Sequence, residues 1–275
     1  MIKDVVVKLS LDPAADPAAS YAISLADAFG AHVAGIALAY EPEVLADPGG
    51  PGARRFLRVR EENQQAASAA AARFEKNAGG AGVAATARVL TTTGSGAYNL
   101  FGRIARRFDL AVATQDDPDK PVSETPVVEG ALFESGRPLI VVPYIHKAGM
   151  GLDRVMACWD GSRPAARAVA DAMPLLARAN NVDLVIVEGD RAKSDEMPGA
   201  DMAQHLARHG LKVAIERIPR GSLEVKDALL NYAADSAADL IVMGGYGHSR
   251  MREFILGGVT RGMLESMTVP TLMSH

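Results

Sequence analysis

The chain has 275 residues, is 48% hydrophobic, and carries 29 Lys and Arg against 33 Asp and Glu for a net charge of −4. That length supports one large domain or two compact ones, each near the size at which a single core sustains itself. The acidic balance argues against a nucleic-acid surface, which needs concentrated Lys and Arg, and a single cysteine, Cys158, excludes an intrachain disulfide or a cysteine zinc cage.

The first residues lack the basic start and apolar core of a signal peptide, and no apolar run reaches the length of a membrane span. The expected location is the cytoplasm, with neither nucleic acid nor membrane as a partner. Residues 5–9 form a first strand-length apolar run. A looser Pro/Gly stretch at 42–52 precedes a long Ala-rich helix over about 53–76. Ala97, Leu100, Phe101, Ile104, Ala105 and Phe108 then recur at helical spacing ahead of a strand at 110–113. The short basic cluster Arg103, Arg106 and Arg107 belongs to the solvated face of that helix. A strand at 139–142 ends the half.

The second half begins after the glycines at 149 and 151, and the predicted boundary falls between halves 1–147 and 151–275. It reads as strand 154–159, helix 164–179, strand 182–187, helix 202–209 and strand 212–218. An amphipathic helix through Val225, Ala228, Leu229, Tyr232 and Ala233 follows, then strand 239–243, a last helix and strand 271–273. The halves repeat one another. Residues 5–9 match 155–159, residues 109–113 match 239–243, and Leu132-Phe133-Glu134-Ser135 aligns with Met263-Leu264-Glu265-Ser266. Alternating strands and helices predict an α/β fold: two tandem doubly wound domains, each a five-stranded parallel sheet of order 3-2-1-4-5 with helices on both faces.

In such a sheet ligands bind beyond the carboxyl ends of the strands, where the strand order reverses. In the second half the first strand runs into Asp160-Gly161-Ser162 and the fourth into Gly244-Gly245-Tyr246-Gly247. Further on, Gly257-Gly258-Val259-Thr260 opens the last helix, whose unpaired N–H groups suit an anion. The glycines at 244, 247 and 257 give the spacing G-x2-G-x9-G, with the hydroxyl of Thr260 three residues beyond. The combination resembles the nucleotide-binding motif of the universal stress protein family, strongly over 154–275 and weakly over 1–146.

That resemblance implies a stress-response regulator holding an adenine nucleotide, ATP or ADP with or without Mg, in the C-terminal half. It places Asp160 beside the adenosine and Val187 in the base pocket. Met243, Gly244 and Gly247 would border ribose and phosphates, and Gly257, Gly258, Val259 and Thr260 would hold the phosphates. The family's motif has Ser or Thr directly after its last glycine, where this chain has Gly258. The resemblance also implies pairing of the last strands, 139–142 with 271–273, as a pseudo-dimer within one chain, leaving a homodimer of whole chains open.

In the first half Ser10 stands where the second has Asp160. Thr114-Gln115-Asp116-Asp117-Pro118-Asp119 replaces the glycine loop, and its carboxylates would repel a phosphate. This half reads as a degenerate copy, and its acidic run as a solvated turn. Other candidates take plain readings. Asp160 also suits a helix N-cap or a turn carboxylate ahead of Pro164, His205 and His209 a polar outer helix face, His248 a loop, and Cys158 a buried strand position. No GK[ST] loop, G-x-G-x-x-G fingerprint or G-x-S-x-G elbow is present, and no catalytic nucleophile or base has an orienting partner. The alternatives to a nucleotide-binding regulator are a nucleotide-free tandem scaffold for a protein partner and a weak nucleotide hydrolase.

Overall fold

The structure, a computed structural model, describes residues 1–42, 51–120, 122–188, 199–245 and 258–275. The chain divides into two compact units, 1–137 with 147–149 and 138–146 with 150–275.

The first unit runs β1 (Asp4–Lys8), α1 (Pro17–Phe29), β2 (His32–Tyr40), α2 (Pro51–Gly80), β3 (Ala85–Thr92), α3 (Gly96–Ala105), β4 (Leu110–Thr114) and α4 (Thr125–Glu134). All pairings are parallel: β1 lies between β2 and β4, and β3 flanks β2, giving the order β3-β2-β1-β4. Strands β2 and β4 are buried along their lengths, as their continuous apolar runs require, whereas β3 alternates half-buried and exposed residues as an edge strand does. Helix α1 starts where Asp16 accepts from the Ala19 N–H at 3.0 Å with Pro17 behind it, and stops at Gly30 in the left-handed region. Helix α2 buries Ala67, Ala70, Phe74 and Ala78, a stripe at spacings of three and four. Helices α3 and α4 meet through glycines: a Cβ on Gly130 would lie 2.1 Å from the Tyr98 carbonyl oxygen, so only hydrogen fits there.

The second unit contains β5 (Leu139–Val142), β6 (Arg154–Cys158), α5 (Arg163–Leu176), β7 (Asn181–Glu188), α6 (Ala200–Arg208) and β8 (Val213–Pro219). It continues with α7 (Val225–Asp235), β9 (Leu240–Gly244), α8 (Gly258–Ser266) and β10 (Thr271–Ser274). Its parallel strands follow β8-β7-β6-β9-β10, the complete 3-2-1-4-5 order. Strand β5, the last of the first half in sequence, pairs antiparallel with β10, Ile140 opposite Leu272. The last strands thus pair inside one chain. Both are four residues long and buried throughout, and β5 groups with the second unit, where β10 is its antiparallel partner.

Away from the strands' carboxyl ends, the Arg154 guanidinium donates to both oxygens of Asp183 at 3.0 and 2.8 Å, and the Tyr232 hydroxyl donates to Asp183 at 3.0 Å. Asp183 is only 1% exposed, and its two donors tie β6 and α7 to β7. Its signal in the sequence is a lone carboxylate inside the apolar run 182–187.

Candidate nucleotide site

Strand β6 lies between β7 and β9, so Val187 near the end of β7 and Met243 and Gly244 at the end of β9 flank the end of β6 on opposite sides. Beyond Cys158 the chain keeps contact with β7 through the Trp159 N–H, which donates to the Val185 carbonyl at 2.8 Å. Asp160 then stands exposed, its Oδ1 accepting from the Ser162 N–H at 2.9 Å. Gly161 takes a positive φ of 73° in this tight turn, and the Ser162 hydroxyl caps α5 by accepting from the Ala165 N–H at 3.2 Å. Ser162 is therefore the N-cap. Asp160 shapes the turn before it and leaves its carboxylate at the surface of the sheet's carboxyl end.

Gly244 meets this turn from the neighbouring strand. A Cβ there would come within 2.6 Å of both the Ala165 nitrogen and the Pro164 carbonyl carbon. The end of β9 and the first turn of α5 thus touch backbone to backbone, which places Gly244 at the foot of the Asp160 turn. The Gly245 N–H, one residue on, donates to the Ser274 carbonyl of β10 at 2.8 Å. Met243 is buried and Val187 half-buried.

Helix α8 opens at Gly258, which is exposed, followed by half-buried Val259 and buried Thr260. Among the described residues nothing lies within 4 Å of where a Gly258 Cβ would stand. Gly247, Gly257 and His248 lie outside the described residues. Cys158 is half-buried at the end of β6 rather than fully buried, and desolvation first, then the charge of Asp160, pushes its thiol up to about 12, away from a reactive thiolate. His205 and His209 stand exposed on α6 and at its end, their rings edge to face with centroids 4.7 Å apart.

At the matching place in the first unit, half-buried Ser10 donates its N–H to Asp16 Oδ2 at 2.8 Å. Burial raises the Asp16 carboxyl to about 6, against the lowering effects of the Ala19 and Ser10 N–H groups and of Lys8 and Arg73. A carboxyl raised above its unfolded value of 3.8 adds stability that is complete below about pH 4 and is lost as pH rises through about 6. Thermal unfolding of wild type and Asp16→Asn from pH 4 to 8 checks this: wild type loses stability relative to the variant across that window. A constant difference contradicts it.

The universal stress protein family model matches residues 151–275. A universal stress protein of Synechocystis sp. is 27% identical over 141 residues, which is 50% of this chain and 46% of that protein, so the match spans about half the length of this relative. Among solved structures, a universal stress protein from Archaeoglobus fulgidus superposes with a TM-score of 0.73 at 16% identity, covering 98% of this chain and 97% of that one. A functionally unknown protein from Pseudomonas aeruginosa does so with a TM-score of 0.59 at 13% identity, covering 99% and 92%. Residues 151–275 match the universal stress protein family, and over its whole length the chain is similar in fold to the Archaeoglobus fulgidus structure.

Proposed function

We propose that this protein binds one adenine nucleotide, ATP or ADP, at the carboxyl end of the C-terminal sheet, and that occupancy regulates its part in a cytoplasmic stress response. Domains of this family often bind nucleotides. The observation that carries the reading to these residues is the backbone contact of Gly244 with the start of α5, beside exposed Asp160. A carboxylate able to accept from a ribose or adenine donor then stands at the strand-order reversal, next to a strand that ends in glycine. Val187 and Met243 would offer the apolar wall of the base pocket. Gly247, Gly257, Gly258, Val259 and Thr260 would receive the phosphates, and any Mg would sit against the phosphates rather than against a protein cage.

Freshly purified protein, denatured and searched for released small molecules, tests the reading. An adenine nucleotide is expected, and none released together with none bound on addition contradicts it. The rival reading, a nucleotide-free scaffold for a protein partner, draws on Gly258, where family members carry a hydroxyl. That position also gives a graded test. No described residue lies within 4 Å of a Cβ at Gly258, so a serine side chain there displaces none of them. A hydroxyl donating to a charged phosphate is worth about 1.5–3 kcal/mol. Gly258→Ser is expected to tighten ATP binding at least about tenfold by calorimetry, and unchanged affinity contradicts a phosphate at this helix start.

A further inference from the structure

At the carboxyl end of the first unit's sheet, where a crevice is expected at the strand-order reversal, the chain's own charged groups pair with one another. Lys8, the last residue of β1 and only 2% exposed, forms an ion pair with Glu124, the residue at the foot of α4. A buried ammonium is costly without such a partner. Asp116, expected from the sequence in a solvated acidic turn, instead gathers residues 123–125 at the start of α4. Its Oδ1 accepts from the Glu124 N–H at 2.6 Å, and its Oδ2 from the hydroxyls of Ser123 at 3.1 Å and Thr125 at 3.4 Å.

The loop after β1 is held in the same manner. Arg73 of α2 donates to the carbonyls of Ser10 at 2.9 Å and Asp12 at 3.0 Å, and Asp16 takes the Ser10 N–H. Lys120 crosses from the other loop to Asp12 at 2.5 Å, which lowers the Asp12 carboxyl and raises the Lys120 ammonium. Two ion pairs, Lys8 with Glu124 and Lys120 with Asp12, therefore bridge the two sides of the crevice. The foot of a helix is where a free anion is ordinarily received, and here a carboxylate of the same chain already has the N–H and the flanking hydroxyls.

We infer that the first unit is self-liganded: Asp116 supplies the anion at the foot of α4, and the Lys8–Glu124 and Lys120–Asp12 pairs close the crevice, so this unit reaches its closed form with no small molecule. Asp117 and Asp119, beside Asp116, repel any phosphate that approaches. The inference concerns only this unit and is read out within it, so it stands or falls separately from nucleotide binding around Asp160.

Hydrogen exchange of the full chain, resolved over residues 10–16 and 116–125, tests it. In wild type, exchange in both segments is expected to be unchanged by saturating ATP. Asp116→Ala removes a charge-assisted hydrogen bond and is expected to speed exchange at the foot of α4 by about ten- to a hundredfold. Acetate, a free carboxylate, is expected to slow it again in the variant while leaving wild type unchanged. Asp116→Asn, which keeps an acceptor and loses the charge, is expected to fall between the two and serves if the alanine variant does not fold. ATP protecting 116–125 in wild type, Asp116 variants exchanging as slowly as wild type, or acetate without effect on the alanine variant would each overturn the inference.

Discussion

Asp160→Ala is expected to weaken ATP binding about ten- to a hundredfold, while Ser10→Ala, at the matching place in the other half, leaves it unchanged. The magnitude follows from the value of a hydrogen bond to a charged acceptor, about 1.5–3 kcal/mol. Asp160 is exposed at the strand-order reversal, so its carboxylate is accessible to a ligand donor. It also holds the turn before α5 through the Ser162 N–H at 2.9 Å. Asp160→Asn separates the two roles, because the amide oxygen can still accept from Ser162 while the charge is gone. If Asp160 acted only through the turn, the asparagine variant would bind as wild type does. The expected result is an intermediate loss, measured by calorimetry on all three variants, and equal loss on Ser10→Ala would refute a single site.

Gly244→Val is expected to act on stability and binding together. The atoms a Cβ would strike at 2.6 Å are backbone, the Ala165 nitrogen and the Pro164 carbonyl carbon, so no side-chain rotation relieves the overlap. Either β9 or the first turn of α5 must move. Overpacking of this kind costs typically about 1–3 kcal/mol, and the displacement reaches the Ser162 cap and the Asp160 turn that precede it. Thermal unfolding should reveal a less stable second unit, and ATP affinity should fall further than in Asp160→Ala. A variant as stable as wild type would mean that the strand end and helix start are not held at this distance.

The order of the elements was legible because it rests on local chemistry. Buried parallel strands such as β4 and β9 leave continuous apolar runs, and Pro164 stands in the first turn of the helix read over 164–179. Helix α3 ends at Ala105, short of Phe108, where the apolar spacing had suggested another turn. The halves' resemblance also showed where the strands reverse, and with it the positions of Asp160 and Gly244.

Groups that depend on distant partners were hidden. Asp116 and Lys8 find Glu124 only once β1, β4 and α4 are assembled, and Lys8 and Glu124 are separated by 116 positions. Asp16 looks like an ordinary cap in sequence, yet its burial raises its carboxyl far above that of an exposed cap. Whether Asp160 caps α5 or only holds the turn before it depends on which side chain reaches the Ala165 N–H, and that is Ser162. Two oxygen-bearing side chains two positions apart do not decide that in sequence.

The central claim is one nucleotide site per chain, in the C-terminal half. Calorimetric titration of nucleotide-free wild-type protein with ATP measures it most directly. A stoichiometry of one per chain, abolished or strongly weakened in Asp160→Ala and untouched in Ser10→Ala, is the predicted result. Two sites per chain, or no binding at all, would contradict it.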